Sequence, residues 1–291
     1  MKHWLQFFRT KDYVKNVLLF FPAFFGGSLI MSNHLYLLSA SFCIFSLLAS
    51  AVYIINDLFD LKYDRQHPQK MQKLLAAEKI SVVTSAAITA SLLLAAFAGA
   101  HLISIEFFYY CLSYLAINLI YSAYGKHVPF LDLLLITMGF LFRLQAGAVV
   151  SQTPISWWLY AMIVLFAFGF GLAKRLEEIN LLEIHQVKFS EVRPSLKFYS
   201  TVNLQQGIVL IILIAVACYS FYTLTPYTIS RLGSPFVFIT CLPVWYGAYN
   251  YVCLIQEGIK SIAPQKVLQE NRRIQLSLLC WVTMMAYFIY H

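Results

Sequence analysis

Asn56, Asp57, Asp60 and Asp64 close a long apolar stretch in the run Tyr53-Ile-Ile-Asn56-Asp57-Leu-Phe-Asp60-Leu-Lys-Tyr-Asp64-Arg65-Gln-His67-Pro68. If the stretch stays helical up to Pro68, the three aspartates stand at i, i+3 and i+7, with Asn56 four before Asp60. At 100° per residue all four fall within about 100° of arc on one helix face. Three carboxylates on one face repel one another unless a cation neutralises them. Hard oxygen ligands at this spacing suit Mg²⁺, which takes one or two carboxylates together with waters and phosphate oxygens. The plainer reading is a solvated helix end whose acids pair with Lys62, Arg65 and Lys70, an ordinary exposed arrangement.

Arg143 is the other outlier, because it lies inside an apolar block, where a cation costs roughly 2.5–3.5 kcal/mol on insertion scales. Gly139, Arg143 and Gly147 stand at i, i+4 and i+8, so the arginine side carries small residues, and Asp132 lies on the same face. A phosphate ligand or an orienter of the carboxylates is expected here; the alternative is an arginine satisfied by a carbonyl or an acid within a helix interface. Lys126, Lys174 and Arg175 read by themselves as cations snorkelling at helix ends. His67, next to Pro68, reads as a hydrogen-bond donor at a turn, since no partner at metal-ligand spacing accompanies it. The six cysteines fall within or beside apolar blocks with no C-x-x-C spacing, and read as small buried hydrophobes.

The elements that must position these residues follow from composition. Of 291 residues 60% are hydrophobic and only 12% charged, about half the charged share of a soluble domain. Nine blocks approach the roughly 20 apolar residues that a membrane helix needs: 14–30, 35–55, 80–100, 105–124, 131–150, 157–173, 206–225, 234–253 and 274–290. Backbone in lipid must satisfy its own hydrogen bonds, so the expected fold is an all-α integral membrane bundle of nine transmembrane helices, with residues 1–291 as one domain. The first block runs into Phe24-Phe25-Gly26-Gly27 without a small-residue cleavage pattern, and reads as a span and not a signal peptide.

With the loops assigned to alternating sides, all but Arg143 and Arg231 of the 21 Lys and Arg residues share the side of the N-terminus. The positive-inside rule makes that side cytoplasmic, puts the C-terminus outside, and points to an inner (plasma) membrane protein. The net charge of +8 then reflects contact with anionic lipid and gives no reason to expect a nucleic acid partner.

Asn56-Asp57-x-x-Asp60-x-x-x-Asp64 resembles the N-D-x-x-D-x-x-x-D motif of the UbiA superfamily of intramembrane prenyltransferases. Six further segments look like its decaprenyl-phosphate phosphoribosyltransferase branch, in the same order along the chain. They are Val14-Lys15-Asn16-Val17; Asp64-Arg65-Gln-His67-Pro68-Gln-Lys70; Tyr121-Ser122 with Lys126; Gly139-Phe-Leu-Phe-Arg143 with Ala146-Gly147-Ala148; and Lys174-Arg175 with Glu178, followed by Arg193-Pro-Ser-Leu196-Lys-Phe-Tyr199. The chain departs from that pattern at Lys73-Leu74, where the family has R-P, at Glu78, where it usually has glycine, and at Asn271-Arg272-Arg273, where it has D-R-P. A second D-x-x-x-D, carried by aromatic prenyltransferases of the superfamily, is replaced by Lys174-Arg175-Leu-Glu177-Glu178.

The resemblance implies an Mg²⁺-dependent transferase with a cytoplasmic-side site. Its partners would be a polyprenyl phosphate entering from membrane lipid and a soluble diphosphate donor, phosphoribosyl diphosphate. It implies Asp57, Asp60 and Asp64 as metal ligands with Asn56 beside them. The phosphate-binding or substrate-binding set would be Lys15, Asn16, Arg65, His67, Lys70, Tyr121, Lys126, Arg143, Lys174, Arg175 and Arg193, with Glu178 orienting Lys174. Two other readings remain open at this point: an aromatic prenyltransferase using a polyprenyl diphosphate, and a lipid transporter or scaffold.

Overall fold

Long apolar runs bounded by serine, threonine and asparagine caps become helices throughout. The computed structural model describes residues 2–30, 32–66, 70–184, 186, 194–257 and 264–291, so the expected site residues His67 and Arg193 lie outside the described residues. Among the described residues every regular element is helical. The chain divides into two compact units, Met1–Ile155 with Val187–Lys197, and Ser156–Gln186 with Phe198–His291.

The first unit contains α1 (Lys2–Phe7), a 3-10 segment (Thr10–Phe20), α2 (Phe21–Gly26), α3 (Ser32–Asp64), α4 (Val82–Ile103), α5 (Ile105–Ala123) and α6 (Leu131–Val150). Ser81 and Ser104 cap α4 and α5, accepting hydrogen bonds from the Thr84 and Phe107 amides at 3.0 Å each, so one orphan donor at each helix start is satisfied. Helix α3 packs on α4 and α5, and α5 on α6. Leu38, Phe45, Leu48, Ala96, Ala100, Phe107, Cys111 and Tyr114 are buried together in the core. Ser41, Ser46, Ala49, Ser50 and Ala51 of α3 are buried as well; small residues of this kind let membrane helices approach closely.

The second unit contains α7 (Trp157–Ile184), α8 (Thr201–Leu224), α9 (Pro226–Leu232), α10 (Cys241–Gln256) with a 3-10 lead-in at Pro235–Thr240, α11 (Pro264–Glu270) and α12 (Arg272–Tyr290). Here α7 packs on α8, and α10 on both α8 and α12. The buried Tyr219 hydroxyl ties three of these elements, meeting Thr240 at 2.7 Å and accepting from the Trp281 indole at 2.7 Å.

Seven of the described helical stretches are long and apolar enough to cross a membrane: α3, α4, α6, α7, α8, α10 with its lead-in, and α12. The expected block 105–124 does form a helix, α5, but Glu106, Asn118 and four tyrosines lower its hydropathy. The expected block 14–30 departs from the sequence reading: it is not one α-helix, but a 3-10 segment of 11 residues followed by α2. Pro22 lacks an amide donor and starts α2, and Gly27 ends it in the left-handed conformation at φ 75°. The segment lies against α3 and α6, and Asn16, Leu18 and Leu19 are buried, which is where irregular backbone is tolerated at membrane depth.

Gly147 makes that close packing possible. A Cβ added there would lie 2.0 Å from the Leu19 carbonyl oxygen, which belongs to backbone and cannot swing away. Gly147→Ala is therefore expected to cost about 1–3 kcal/mol through overpacking. Thermal unfolding in detergent should show a midpoint a few degrees lower, whereas Gly207→Ala, whose added Cβ would meet only the Leu172 side chain at 3.4 Å, gives a smaller change.

Candidate active site

Helix α3 does continue to Asp64, so the four polar residues share one helix end as the spacing predicts. Asp57 and Asp64 are buried, 8% and 4% exposed, and Asp60 is half-buried. Each carboxylate has a cation. Lys73 Nζ donates to Asp57 Oδ1 at 2.8 Å and to Asp64 Oδ2 at 2.6 Å. Arg9 also donates to Asp57 Oδ1. Lys126 Nζ donates to Asp60 Oδ1 at 2.5 Å, and the Asn56 amide donates to Asp60 Oδ2 at 2.9 Å. Ser122 Oγ donates to Asn56 Oδ1 at 3.1 Å, fixing which way that amide faces.

Three separate pieces of chain deliver these partners. Arg9 adopts the left-handed conformation, φ 49° and ψ 45°, uncommon for a residue other than glycine. It sits between α1 and the 3-10 segment, with its guanidinium 4.9 Å from the Tyr53 ring centroid. Burial alone would lower the Arg9 pKa, but Asp57, Asp12, Tyr53 and Asp64 outweigh it and move the pKa up, so Arg9 stays charged. Lys126 comes from the 3-10 turn Gly125–His127 after α5, and is itself buried. Lys73 follows the short turn Lys70–Gln72. Lys15 Nζ donates to Asp12 Oδ1 at 2.5 Å and to the Tyr53 hydroxyl at 3.4 Å, alongside Arg9.

The sequence reading misses Arg9, Lys73 and Ser122 as partners of the acids. It offers Lys62, Arg65 and Lys70 for pairing, but Arg65 instead meets Glu78 at 2.8 Å on the exposed side, and Lys62 is exposed. A signal was available for the first two. Buried carboxylates at a membrane face need equal positive charge, and Arg9 and Lys73 are cations on the same expected side of the membrane. Tyr121 is half-buried on α5.

Arg143 is bound within the first unit and not to the acids of α3. Its Nε donates to Asn16 Oδ1 at 2.9 Å, one Nη to the Gly139 carbonyl at 2.8 Å, and the other to the Tyr114 hydroxyl at 2.7 Å. It also lies 4.6 Å from the Tyr114 ring centroid. These hydrogen bonds join α6 to α5 and to the 3-10 segment and leave the acids to other cations. Asn16 passes the link on to α3, donating to Ser46 Oγ at 3.0 Å.

In the second unit Arg175 is buried and donates to Glu178 Oε2 at 3.0 Å. Glu178, expected to orient Lys174, pairs with Arg175, which i, i+3 spacing brings to the same side of the helix. Lys174 Nζ lies 4.9 Å from the Phe170 ring centroid.

Among the described residues no three Asp, Glu, His or Cys side chains group as a metal site. Two carboxylates do converge on one cation, however: Asp57 and Asp64 on the Lys73 ammonium. That donor set fits Mg²⁺, which needs one or two carboxylates and takes its other oxygens from phosphate and water.

Relatives place this geometry. The UbiA prenyltransferase family model matches residues 18–267. The decaprenyl-phosphate phosphoribosyltransferase of Mycobacterium tuberculosis is 29% identical over 280 residues, 94% of this chain and 90% of that one. That of Mycolicibacterium smegmatis is 26% identical, with 97% and 91% covered. Protein y4nM of Sinorhizobium fredii is 35% identical over 175 residues, 60% of this chain, and this stretch spans about a third (34%) of that relative. Among solved structures, a UbiA homologue from Archaeoglobus fulgidus bound to GPP and Mg²⁺ superimposes with a TM-score of 0.71 at 17% identity, covering 99% of this chain and 100% of that one. An all-helical chain with long apolar spans and an Asn-Asp-x-x-Asp-x-x-x-Asp helix end, matched over most of its length, belongs to the UbiA prenyltransferase family of integral membrane transferases.

Proposed function

We propose that the chain moves a phosphoribosyl group from phosphoribosyl diphosphate to a polyprenyl phosphate, with Mg²⁺, as one transferase domain of nine spans. The observation that carries this reading is the nearly full-length similarity to two mycobacterial decaprenyl-phosphate phosphoribosyltransferases. The basic Lys174-Arg175 pair, standing where aromatic prenyltransferases carry acids, supports it: a sugar donor brings a 5-phosphate that a prenyl diphosphate lacks.

When bound on Asp57, Asp60 and Asp64, Mg²⁺ would neutralise the diphosphate as it leaves. Asp60 also keeps Lys126, and Asn56 keeps Asp60 in place. Arg9, Lys15, Lys73 and Lys126 supply positive charge around the carboxylates, where anionic oxygens gain most from fixed donors. The lipid phosphate, already anionic, attacks the ribose C1 without a strong base. The C1–O bond to diphosphate breaks as the C1–O bond to the lipid phosphate forms. Lys174 and Arg175 are assigned to donor phosphate by the resemblance, with Glu178, which pairs with Arg175, beside them.

Membranes carrying the protein, incubated with radiolabelled phosphoribosyl diphosphate or labelled prenyl diphosphate, test the donor. Label should enter lipid from the former. Arg175→Ala should raise the KM for the sugar donor about ten- to a hundredfold, the worth of a hydrogen bond to a charged group, and leave that for the lipid nearly unchanged. Transfer of a prenyl group to an aromatic acid by the wild type would replace this reading with the aromatic prenyltransferase.

Orientation is part of the proposal, with the acidic helix end and the N-terminus cytoplasmic and the C-terminus outside. Gln66 and Pro154 are both exposed and flank the two ends of the expected topology. A cysteine at 154 should react with an impermeant thiol reagent on intact cells, and one at 66 only after lysis. The opposite pattern would reverse the assignment.

A further inference from the structure

Asp57 and Asp64 stand two turns apart on α3, about 10 Å along the axis at 1.5 Å per residue, yet a single ammonium bridges them. Lys73 reaches both, at 2.8 and 2.6 Å, and its side chain keeps 26% of its surface open to solvent. The segment that presents it is tied down on either side. The Lys73 amide donates to the Lys70 carbonyl at 3.0 Å, the Ala77 amide to the Lys73 carbonyl at 2.8 Å, and the Lys79 amide to the Leu74 carbonyl at 2.9 Å. Leu75 and Ala76 are buried beneath it. Glu78 holds the left-handed conformation, φ 57°, and pairs with Arg65 near the end of α3.

Each acid of the cluster already has a cation in contact, and Lys70 acts on Asp64 as well. Asp57, Asp60 and Asp64 face Arg9, Lys73 and Lys126. A divalent ion added to that set brings two further positive charges, and to bridge Asp57 and Asp64 it must take the position between them that the Lys73 ammonium holds. Arg9 shares Asp57 Oδ1 with Lys73 but does not bridge the two acids.

We propose that Lys73 is the resident cation of the metal seat, which a divalent ion must displace, so that metal entry releases the Lys73 side chain from α3. The inference rests on the reading of Asp57 and Asp64 as metal ligands. It makes Lys73 a residue that sets metal affinity: the free metal is held weakly, and metal arriving with a diphosphate is held well, because the anion offsets the charge that the exchange leaves behind. It also couples occupancy of the seat to the segment 70–79, whose Lys73 bridge between the two carboxylates is cut on loading. Arg9, which touches Asp57 alone among the three acids, can stay in place during the exchange.

Binding of Mn²⁺ to the purified full-length protein, read by electron paramagnetic resonance without substrates, tests this directly. Lys73→Met should bind Mn²⁺ about tenfold or more tightly than the wild type, as expected on removing a charged hydrogen-bonding competitor; Asp64→Asn should bind it more weakly. Unchanged or weaker binding by Lys73→Met, with Asp64→Asn still impaired, overturns the resident-cation proposal and leaves the metal reading standing. Mn²⁺ binding by the wild type that Asp57→Asn and Asp64→Asn both leave unaltered, or no binding by any form, overturns the metal reading and this proposal together. Should Lys73→Met fail to fold, acylation of the wild type decides. Saturating Mg²⁺ should raise the reactivity of Lys73 several-fold while exposed Lys79 stays constant, and equal Lys73 reactivity with and without Mg²⁺ rejects the exchange.

Discussion

Asp57→Asn, Asp60→Asn and Asp64→Asn should each lower transfer by at least about a hundredfold, the scale on which a single electrostatic group at a transition state acts, while each protein still inserts and purifies. All three carboxylates lie on one end of α3 and already bind cations at hydrogen-bond distance. An amide of the same size keeps the packing but carries no charge with which to hold Mg²⁺ against a diphosphate. Part of the loss comes from the cations left behind. Asp60→Asn takes from the buried Lys126 its carboxylate at 2.5 Å, and Asp57→Asn leaves Arg9 and half of the Lys73 bridge unneutralised. Glu106→Gln is the control, since Glu106 is exposed in the first turn of α5, at the opposite end of that helix from Lys126, and its transfer rate should match the parent. Activity of all three asparagine variants within a few-fold of the parent, measured with labelled donor in membranes, would remove the carboxylate site.

The second large effect is on stability. Arg143→Met is expected to destabilise the fold by roughly 2–5 kcal/mol, since it leaves two buried acceptors without that donor, each worth about 1–3 kcal/mol when unsatisfied. Those acceptors are Asn16 Oδ1 and the Tyr114 hydroxyl; the Gly139 carbonyl keeps its helical bond from the Arg143 amide. Interhelical hydrogen bonds in membranes are often worth less, averaging about 0.6 kcal/mol, and this holds the estimate below the plain sum. Arg143→Lys should recover little, because one ammonium cannot reproduce the planar fork that serves the three partners. Thermal unfolding in detergent reads the stability, and the KM for the donor in the folded fraction reads the role. A lower melting midpoint with an unaltered KM fits a brace between α5, α6 and the 3-10 segment. An unaltered midpoint with a raised KM would return Arg143 to the substrate site.

The sequence by itself determined what depends on near neighbours. Runs of apolar residues dictate helices, because lipid leaves the backbone no other partners, and the capping serines mark where α4 and α5 begin. The i, i+3, i+7 spacing of Asp57, Asp60 and Asp64 put them on one face once α3 ran to Asp64, and motif order was enough to name the family. Tertiary structure decided the pairing. Arg9 and Asp57 are 48 residues apart, Lys126 and Asp60 66, and Arg143 and Asn16 127. Along the sequence, Arg9, Lys62, Arg65, Lys70, Lys73 and Lys126 are equivalent cations on one side of a membrane. Which of them meets a carboxylate depends on where the chain turns back. The 3-10 form of residues 10–20 was hidden for the same reason: Asn16 bonding to Ser46 and Arg143, and the missing Cβ of Gly147 opposite Leu19, favour it through contacts that no local pattern encodes. Hydrophobic periodicity is a property of a helix alone, whereas charge neutralisation in a low-dielectric site belongs to the assembled set of elements.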